Sequence, residues 1–285
     1  MKSPFVSLAL LVFFWNGGPA HSAQDTPDAR LVQLRDDTRA LFAASAQRAP
    51  AAFKIAIAQL AARANRIVNT PLPSVDMSRV RGKSYAASDP GIWLVRETAL
   101  NLQAAAIAWS VPESSAYASK DLLAHAETTF DYVLSHFTPQ GTTGAADAHI
   151  DKFIYVPLWE SFILFGPALP PDQRARLIAF FTSAARYQAG IYPQATETAS
   201  LPRLPSDGFA KMDAVNMAAA WLLIQAQAAI LTGKSEFSGH TRGRLALIGK
   251  CMHGATLTDK SSAPRAWKAG ETMSAYVQVW LATHL

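Results

Sequence analysis

The sequence predicts an all-α protein, and three observations predict it. Alanine, the strongest helix former, is abundant, and half of the residues are hydrophobic. Glycine-bounded runs of β-branched residues, the mark of strands, are scarce. Apolar residues recur instead at three- and four-residue steps along most of the chain. The clearest case is Phe209 to Phe237, where Met212, Val215, Ala219, Leu223, Ala226 and Ile230 keep helical spacing. Asp207-Gly208 precedes that run as a start signal, and Thr232-Gly233-Lys234 ends it.

The chain opens on an export signal. Lys2 supplies a positive n-region, Phe5 to Trp15 a short apolar h-region, and small residues follow from Gly17 to Ala23. Ala20-His21-Ser22 gives a small-x-small cleavage site, so residues 1–22 read as a signal peptide and 23–285 as the mature domain. The h-region is too short to span a bilayer, and no later stretch is long and apolar enough. The expected location is periplasmic or secreted.

The elements follow in order. Asp28 to Arg48 carries Leu31, Leu34, Leu41 and Phe42 at helical spacing, and Pro50 breaks it before a second helix, Ala51 to Val68. Asn69 to Pro90 is polar and holds Pro71, Pro73 and Gly82; it is too long for an ordinary helix–helix turn. Gly91 to Trp109 reads as a third helix, and Ser114 opens a fourth over Tyr117 to His136. Thr142 to Asp151 reads as a polar loop with His149. Pro157 makes the aromatic-rich stretch from Lys152 to Phe165 a loop entering a helix. Pro170-Pro171-Asp172 starts a helix to Gln188, and Ala189 to Ser206 is a second long loop before the Met212 helix. Gly239 to His253 is a further helix, and Glu271 to Leu285 a last apolar segment. About eight or nine helices thus come as hairpins, with a pair spacing of about 50–70 residues and no fixed short repeat. Large loops between helix pairs fit an (α/α) toroid of helical hairpins better than a regular solenoid.

Charge and cysteine content narrow the function. The formal net charge is +5. The mature net charge lies after residue 237, where Arg242, Arg244, Lys250, Lys260, Arg265 and Lys268 face Asp259 and Glu271. No basic run is interleaved with aromatics, so an anionic polysaccharide is the expected partner and nucleic acid is not. Cys251 is the single cysteine, which excludes an intramolecular disulfide. Cys251-Met252-His253 lacks a second Cys/His pair at ligand spacing, and Asp147, His149 and Asp151 on a loop make a poor ligand set. No metal and no cofactor is expected. A Gly-rich phosphate loop, G-x-S-x-G and H-E-x-x-H are all absent.

The candidate site residues follow from their surroundings. Asn216 sits beside the apolar stripe of its helix, and a buried amide left unpaired costs about 1–3 kcal/mol. It is either satisfied by a neighbouring loop or presented to a ligand. Arg203 and Lys211 flank the start of that helix and could meet a carboxylate, or are ordinary surface charges. Tyr155 and Trp159 could stack on sugar rings, or are core aromatics at helical spacing.

Three segments resemble the α/α-toroid polysaccharide lyases, the chondroitin AC/alginate lyase and heparinase-like group. IWLVRETALNLQAAAIAWSVPESSAYASKDLLAHAETTFDYVL (Ile92–Leu134) is similar to their early helix pair. HIDKFIYVPLWESFILFG (His149–Gly166) is similar to their aromatic segment with a proline before a helix. MDAVNMAAAWLLIQAQAAILTG (Met212–Gly233) is similar to the helix that opens on their "G/A-x-N" asparagine. The resemblance covers roughly Ile92 to Phe237. It implies that Asn216 is catalytic and pairs with a uronate carboxylate. The family's "D-G-S-x-x-x-H" run with a following Tyr has no counterpart in Ala255 to Leu285, where Tyr276 and His284 stand in the wrong order and spacing. The chain is also shorter than the family's toroid with its added β-sandwich, so the resemblance implies an all-α, incomplete (α/α) toroid of helical hairpins.

A polyuronate lyase removes the proton α to a carboxylate and then expels the 4-O-glycoside. An asparagine amide donated to that carboxylate stabilises the charge that develops in the transition state, and a Tyr or His in reach takes the proton. The expected activity is therefore β-elimination on a uronate-containing glycan, by a monomer. Two alternatives stand beside it. One is a non-catalytic periplasmic helical protein that binds glycan or acts as a scaffold. The other is a glycoside hydrolase on an α/α barrel, which needs two carboxylates across a cleft; Asp151, Glu160, Asp207 and Asp213 are the residues available for that.

Overall fold

The computed structural model describes residues 26–72, 90–137, 148–191, 224 and 227–233. Among the described residues every regular element is a helix and none is a strand, as the composition predicts. The chain divides into two compact units, Asp25–Tyr187 and the remainder, Met1–Gln24 with Gln188–Leu285. The described helices are α1 (Pro27–Arg48), α2 (Pro50–Ile67), α3 (Pro90–Ser110), α4 (Lys120–His136), α5 (Ala148–Phe165) and α6 (Pro171–Ile191). A 3-10 turn, Gly166–Ala168, leads from α5 towards α6.

Local chemistry sets the ends of these helices. Thr26 caps α1, its Oγ1 accepting from the Ala29 N–H at 3.2 Å. Pro27 and Pro50 open α1 and α2 in the first turn, where a missing N–H leaves nothing unsatisfied. Leu31, Leu34, Thr38 and Phe42 of α1 are buried, as are Ile57, Ala61, Ala64 and Ile67 of α2. Both sets step by three and four, so each helix turns one stripe inward.

α3 and α5 are the interior helices. Every residue from Ala104 to Val111 is buried, and so is every residue from Pro157 to Gly166. α1 packs on α2, α2 on α3, α3 on α5, and α5 on α1, so these four make a ring of neighbours, with α4 against α3. Phe130 of α4 meets Phe162 of α5 edge-on at 6.1 Å between centroids. Phe181 of α6 meets Trp159 at 4.7 Å and Phe162 at 5.5 Å. Polar links between helices add register. Gln173 donates to the Glu127 carbonyl at 2.8 Å, joining α6 to α4. Arg174 grips Asp28 of α1 with both arms, at 2.8 and 3.1 Å, and donates to the Leu169 carbonyl at 3.2 Å.

The structure corrects the expected elements in three places. α4 starts at Lys120, not Tyr117. Ala118 takes a positive φ of 51°, which stops a helix, and its N–H bonds the Trp109 carbonyl at 3.0 Å. Ser119 then caps α4 through the Leu122 N–H, while the Ser114 hydroxyl accepts from the Ala116 N–H within a turn. Second, the stretch from Ala148 is helical and runs through Pro157 without a break, so His149 and Asp151 lie in the first turns of α5 and not in a loop. A mid-helix proline costs about 3 kcal/mol. Burial of the residues on both sides of Pro157 outweighs it, and Ser161 donates to the Pro157 carbonyl at 2.6 Å. Third, α6 continues past Gln188 to Ile191.

In the second unit, residues 224 and 227–232 are helical, and the helix stops at Gly233, whose φ is 66°. This is the predicted end. Its buried residues are Ile224, Gln227, Ala228 and Leu231, while Ile230 is only half-buried. The inward face is therefore displaced by one residue from the predicted position at Ile230. No helix of the described residues is long and apolar enough to cross a membrane.

Gly166 lets the turn after α5 press against α1. A Cβ there would stand 2.8 Å from Leu31 Cδ2 and 2.9 Å from the Phe162 ring. Gly166→Ala is expected to cost about 1–3 kcal/mol through overpacking, read as a lower melting temperature. The same substitution in a Leu31→Ala background is expected to cost less, because the two positions share the space. Equal costs in both backgrounds would mean that this contact does not limit the turn.

Candidate functional site

α5 is buried without interruption from Pro157 to its end, so a charged residue in that stretch has no solvent face. Glu160 is that residue and is 4% exposed. Its Oε2 accepts a hydrogen bond from the Gln103 amide Nε2, donated across the α3–α5 contact. Its Oε1 is buried without a protein hydrogen-bond partner. Burial pushes the Glu160 carboxyl up to about 7, against a smaller downward pull from the Gln103 hydrogen bond. The indole Nε1 of the adjacent Trp159 is also buried without a partner. A carboxyl that is neutral about half the time near pH 7 is suited to giving or taking a proton.

The predicted site residues fall as follows. Asn216, Arg203 and Lys211 lie outside the described residues, as do Asp147, Asp207, Asp213, Cys251, His253, Tyr276 and His284. Tyr155 and Trp159 lie on α5, each 1% exposed. Tyr155 packs between Phe137 and Phe180, with centroids at 6.3 and 5.8 Å. Trp159 packs edge-on against Phe181. Both rings thus belong to the aromatic core and offer no open face for a sugar; the substrate-stacking expectation gives way to the core alternative. The reason is the unbroken α5 helix, which turns both residues inward where a loop would have freed them. Of the four carboxylates considered for hydrolysis, Glu160 is the one whose side chain the structure describes.

Sequence reasoning missed Gln103. Its one signal was a polar residue at the head of the apolar run Ala104–Trp109. It also missed two surface-proximal arrangements. The Arg39 guanidinium lies 5.7 Å from the centre of the Trp109 ring, a cation–π pair between α1 and α3. On α4, Tyr132 stacks on His136 at 4.2 Å between ring centres, and the buried Tyr132 hydroxyl has no partner. Burial raises the Tyr132 phenol and lowers His125, which favours the neutral form of both. No group of three or more His, Cys, Asp or Glu side chains converges among the described residues.

Trp159→Ala is expected to cost about 3–5 kcal/mol as a lost core ring, measured by thermal or urea unfolding. Trp159→Phe is expected to stay folded and to keep any glycan affinity of the wild type, measured by a binding isotherm. Loss of binding in folded Trp159→Phe would return the ring to a ligand-facing role. No family model, curated protein or solved structure matches the chain.

Proposed function

We propose that the protein is an exported lyase that cleaves a uronate-containing polysaccharide by β-elimination. The observation that carries this reading is the Met212–Gly233 segment, which resembles the asparagine-bearing helix of α/α-toroid lyases. The helical end at Gly233 and the all-helical character of the described residues support it. So does the packing of consecutive helices, α1 on α2 and α2 on α3, which is the hairpin pattern such toroids are built from. The return contact of α5 on α1 is one that a toroid does not require.

In this reading Asn216 donates its amide to the uronate carboxylate and stabilises the charge that forms as the α-proton leaves. Arg203 and Lys211 draw the anionic chain toward the same helix start. The protein acts as a periplasmic or secreted monomer on an anionic glycan, without metal or cofactor. The proton acceptor is a Tyr or His that reaches the α-carbon.

A second reading is favoured by Glu160. A carboxyl held at about 7 by burial has the property of the general acid in a glycoside hydrolase. It requires an opposing carboxylate, and the described residues place none beside Glu160.

The test is product formation from alginate, chondroitin, hyaluronan, heparin and glucuronan. A lyase produces unsaturated uronate ends that absorb in the ultraviolet, and Asn216→Ala is expected to lower that rate by about 10²–10³-fold. Reducing ends without ultraviolet absorbance, lost in Glu160→Gln, would select hydrolysis. Binding without either product would leave a glycan-binding protein.

A further inference from the structure

Glu160 is a carboxyl group set into the contact between the two interior helices, and its surroundings make its charge matter. Trp159 and Phe162 flank it on α5, and Phe181 of α6 lies against both rings. Gln103 is the polar side chain that meets it from α3. α1, α3, α4, α6 and the 166–168 turn pack around α5. Among the described residues no charged or titratable group on these elements faces the carboxyl: its protonation is set by burial and by Gln103. The ion pairs of those helices, such as Arg174–Asp28 and Arg176–Asp131, keep half-exposed carboxylates at the rim.

We propose that Glu160 is a proton-operated latch between α3 and α5. With a proton on the carboxyl, the side chain rests in the aromatic core on the Gln103 hydrogen bond. Without the proton, one Gln103 hydrogen bond serves an anion whose Oε1 has no partner. An ionised carboxylate so poorly paired is strongly disfavoured in an apolar interior. The charged form is relieved by water reaching the seam, which loosens α3 against α5.

The sign of the effect follows from linkage. The carboxyl stands at about 7 in the folded chain and at its ordinary value of 4.5 in an unfolded one. The folded state thus holds a proton that the unfolded state has released. Its contribution to stability is complete below about 4.5, and it is lost as the pH rises through about 7.

The experiment uses the full chain with three readouts across that range. Tryptophan fluorescence and near-ultraviolet circular dichroism follow aromatic packing, and the Trp159 and Trp109 shares among the seven tryptophans are assigned by the Trp→Phe variant of each. Far-ultraviolet circular dichroism follows helix content. The infrared carbonyl band of a protonated carboxylic acid follows the proton itself. The wild type is expected to show a reversible change in packing near neutral pH with constant helix content. A carboxylic-acid band is expected to vanish with the same midpoint. Glu160→Gln is expected to lack both, and its melting temperature is expected to hold where that of the wild type falls. Gln103→Leu, which removes the hydrogen bond that favours the anion, is expected to move the midpoint to higher pH. An unchanged titration in Glu160→Gln would assign the transition to histidines and overturn the proposal. So would a wild-type signal flat across the range, or a Gln103→Leu midpoint that does not move.

Discussion

From Ile154 on, α5 presents a mainly apolar and aromatic surface, and the described part of the first unit is fitted around it. Trp159, Phe162 and Phe165 are buried on it, with Phe130, Phe181 and Trp109 arriving from α4, α6 and α3. Each such ring contributes on the order of 1.5–3 kcal/mol when taken out of water, and tilted or edge-on contacts add a little more. No single helix supplies these neighbours, because a buried helix needs cover all round. That need explains why α5 runs straight through Pro157. Ending the helix there would expose the rings beyond it, at a cost well above that of one missing hydrogen bond.

The remaining interactions set where helices begin and how they are aligned. Thr26 and Ser119 cap α1 and α4, and prolines open α1, α2 and α6. Arg174 is the best-placed ion pair, since its guanidinium is mostly buried and also holds the chain carbonyl of Leu169. Exposed pairs such as Arg176–Asp131 contribute between zero and about 1 kcal/mol each. Stability therefore rests on the aromatic seam, while the polar contacts decide register.

Helix type and some of the ends are legible because they depend on nearby residues. Alanine content, three- and four-residue steps, Pro50 and Gly233 all act within a turn or two. Three features were not legible for the same reason. The left-handed Ala118 is held by Trp109, nine residues away, so local pattern placed the start of α4 too early. The local rule for Pro157 favours a break, whereas the tertiary burial of its neighbours decides the outcome. The identity of α3 and α5 as the interior pair depends on which helices meet, and periodicity says nothing about that. The same limit applied to the site. Tyr155 and Trp159 fit both a sugar platform and a core, and only the packing of Phe180 and Phe181 against them separates the two. Gln103 gained its meaning from Glu160, which lies fifty-seven positions further on.

Glu160 is the residue whose presence the packing argument does not require. A leucine or methionine there would complete the apolar surface of α5 and remove the desolvation of a carboxyl, a replacement that is often stabilising in buried polar sites. A residue that costs stability where an apolar one would serve points to a role other than packing. That role is separate from the elimination chemistry proposed for Asn216. The elimination needs an amide donor and a base at the glycan, and it makes no use of a carboxyl enclosed by aromatic rings. A chain that never cleaves a polyuronate could still open α3 from α5 on losing the Glu160 proton. Equally, a lyase could work through Asn216 with the α3–α5 seam indifferent to pH.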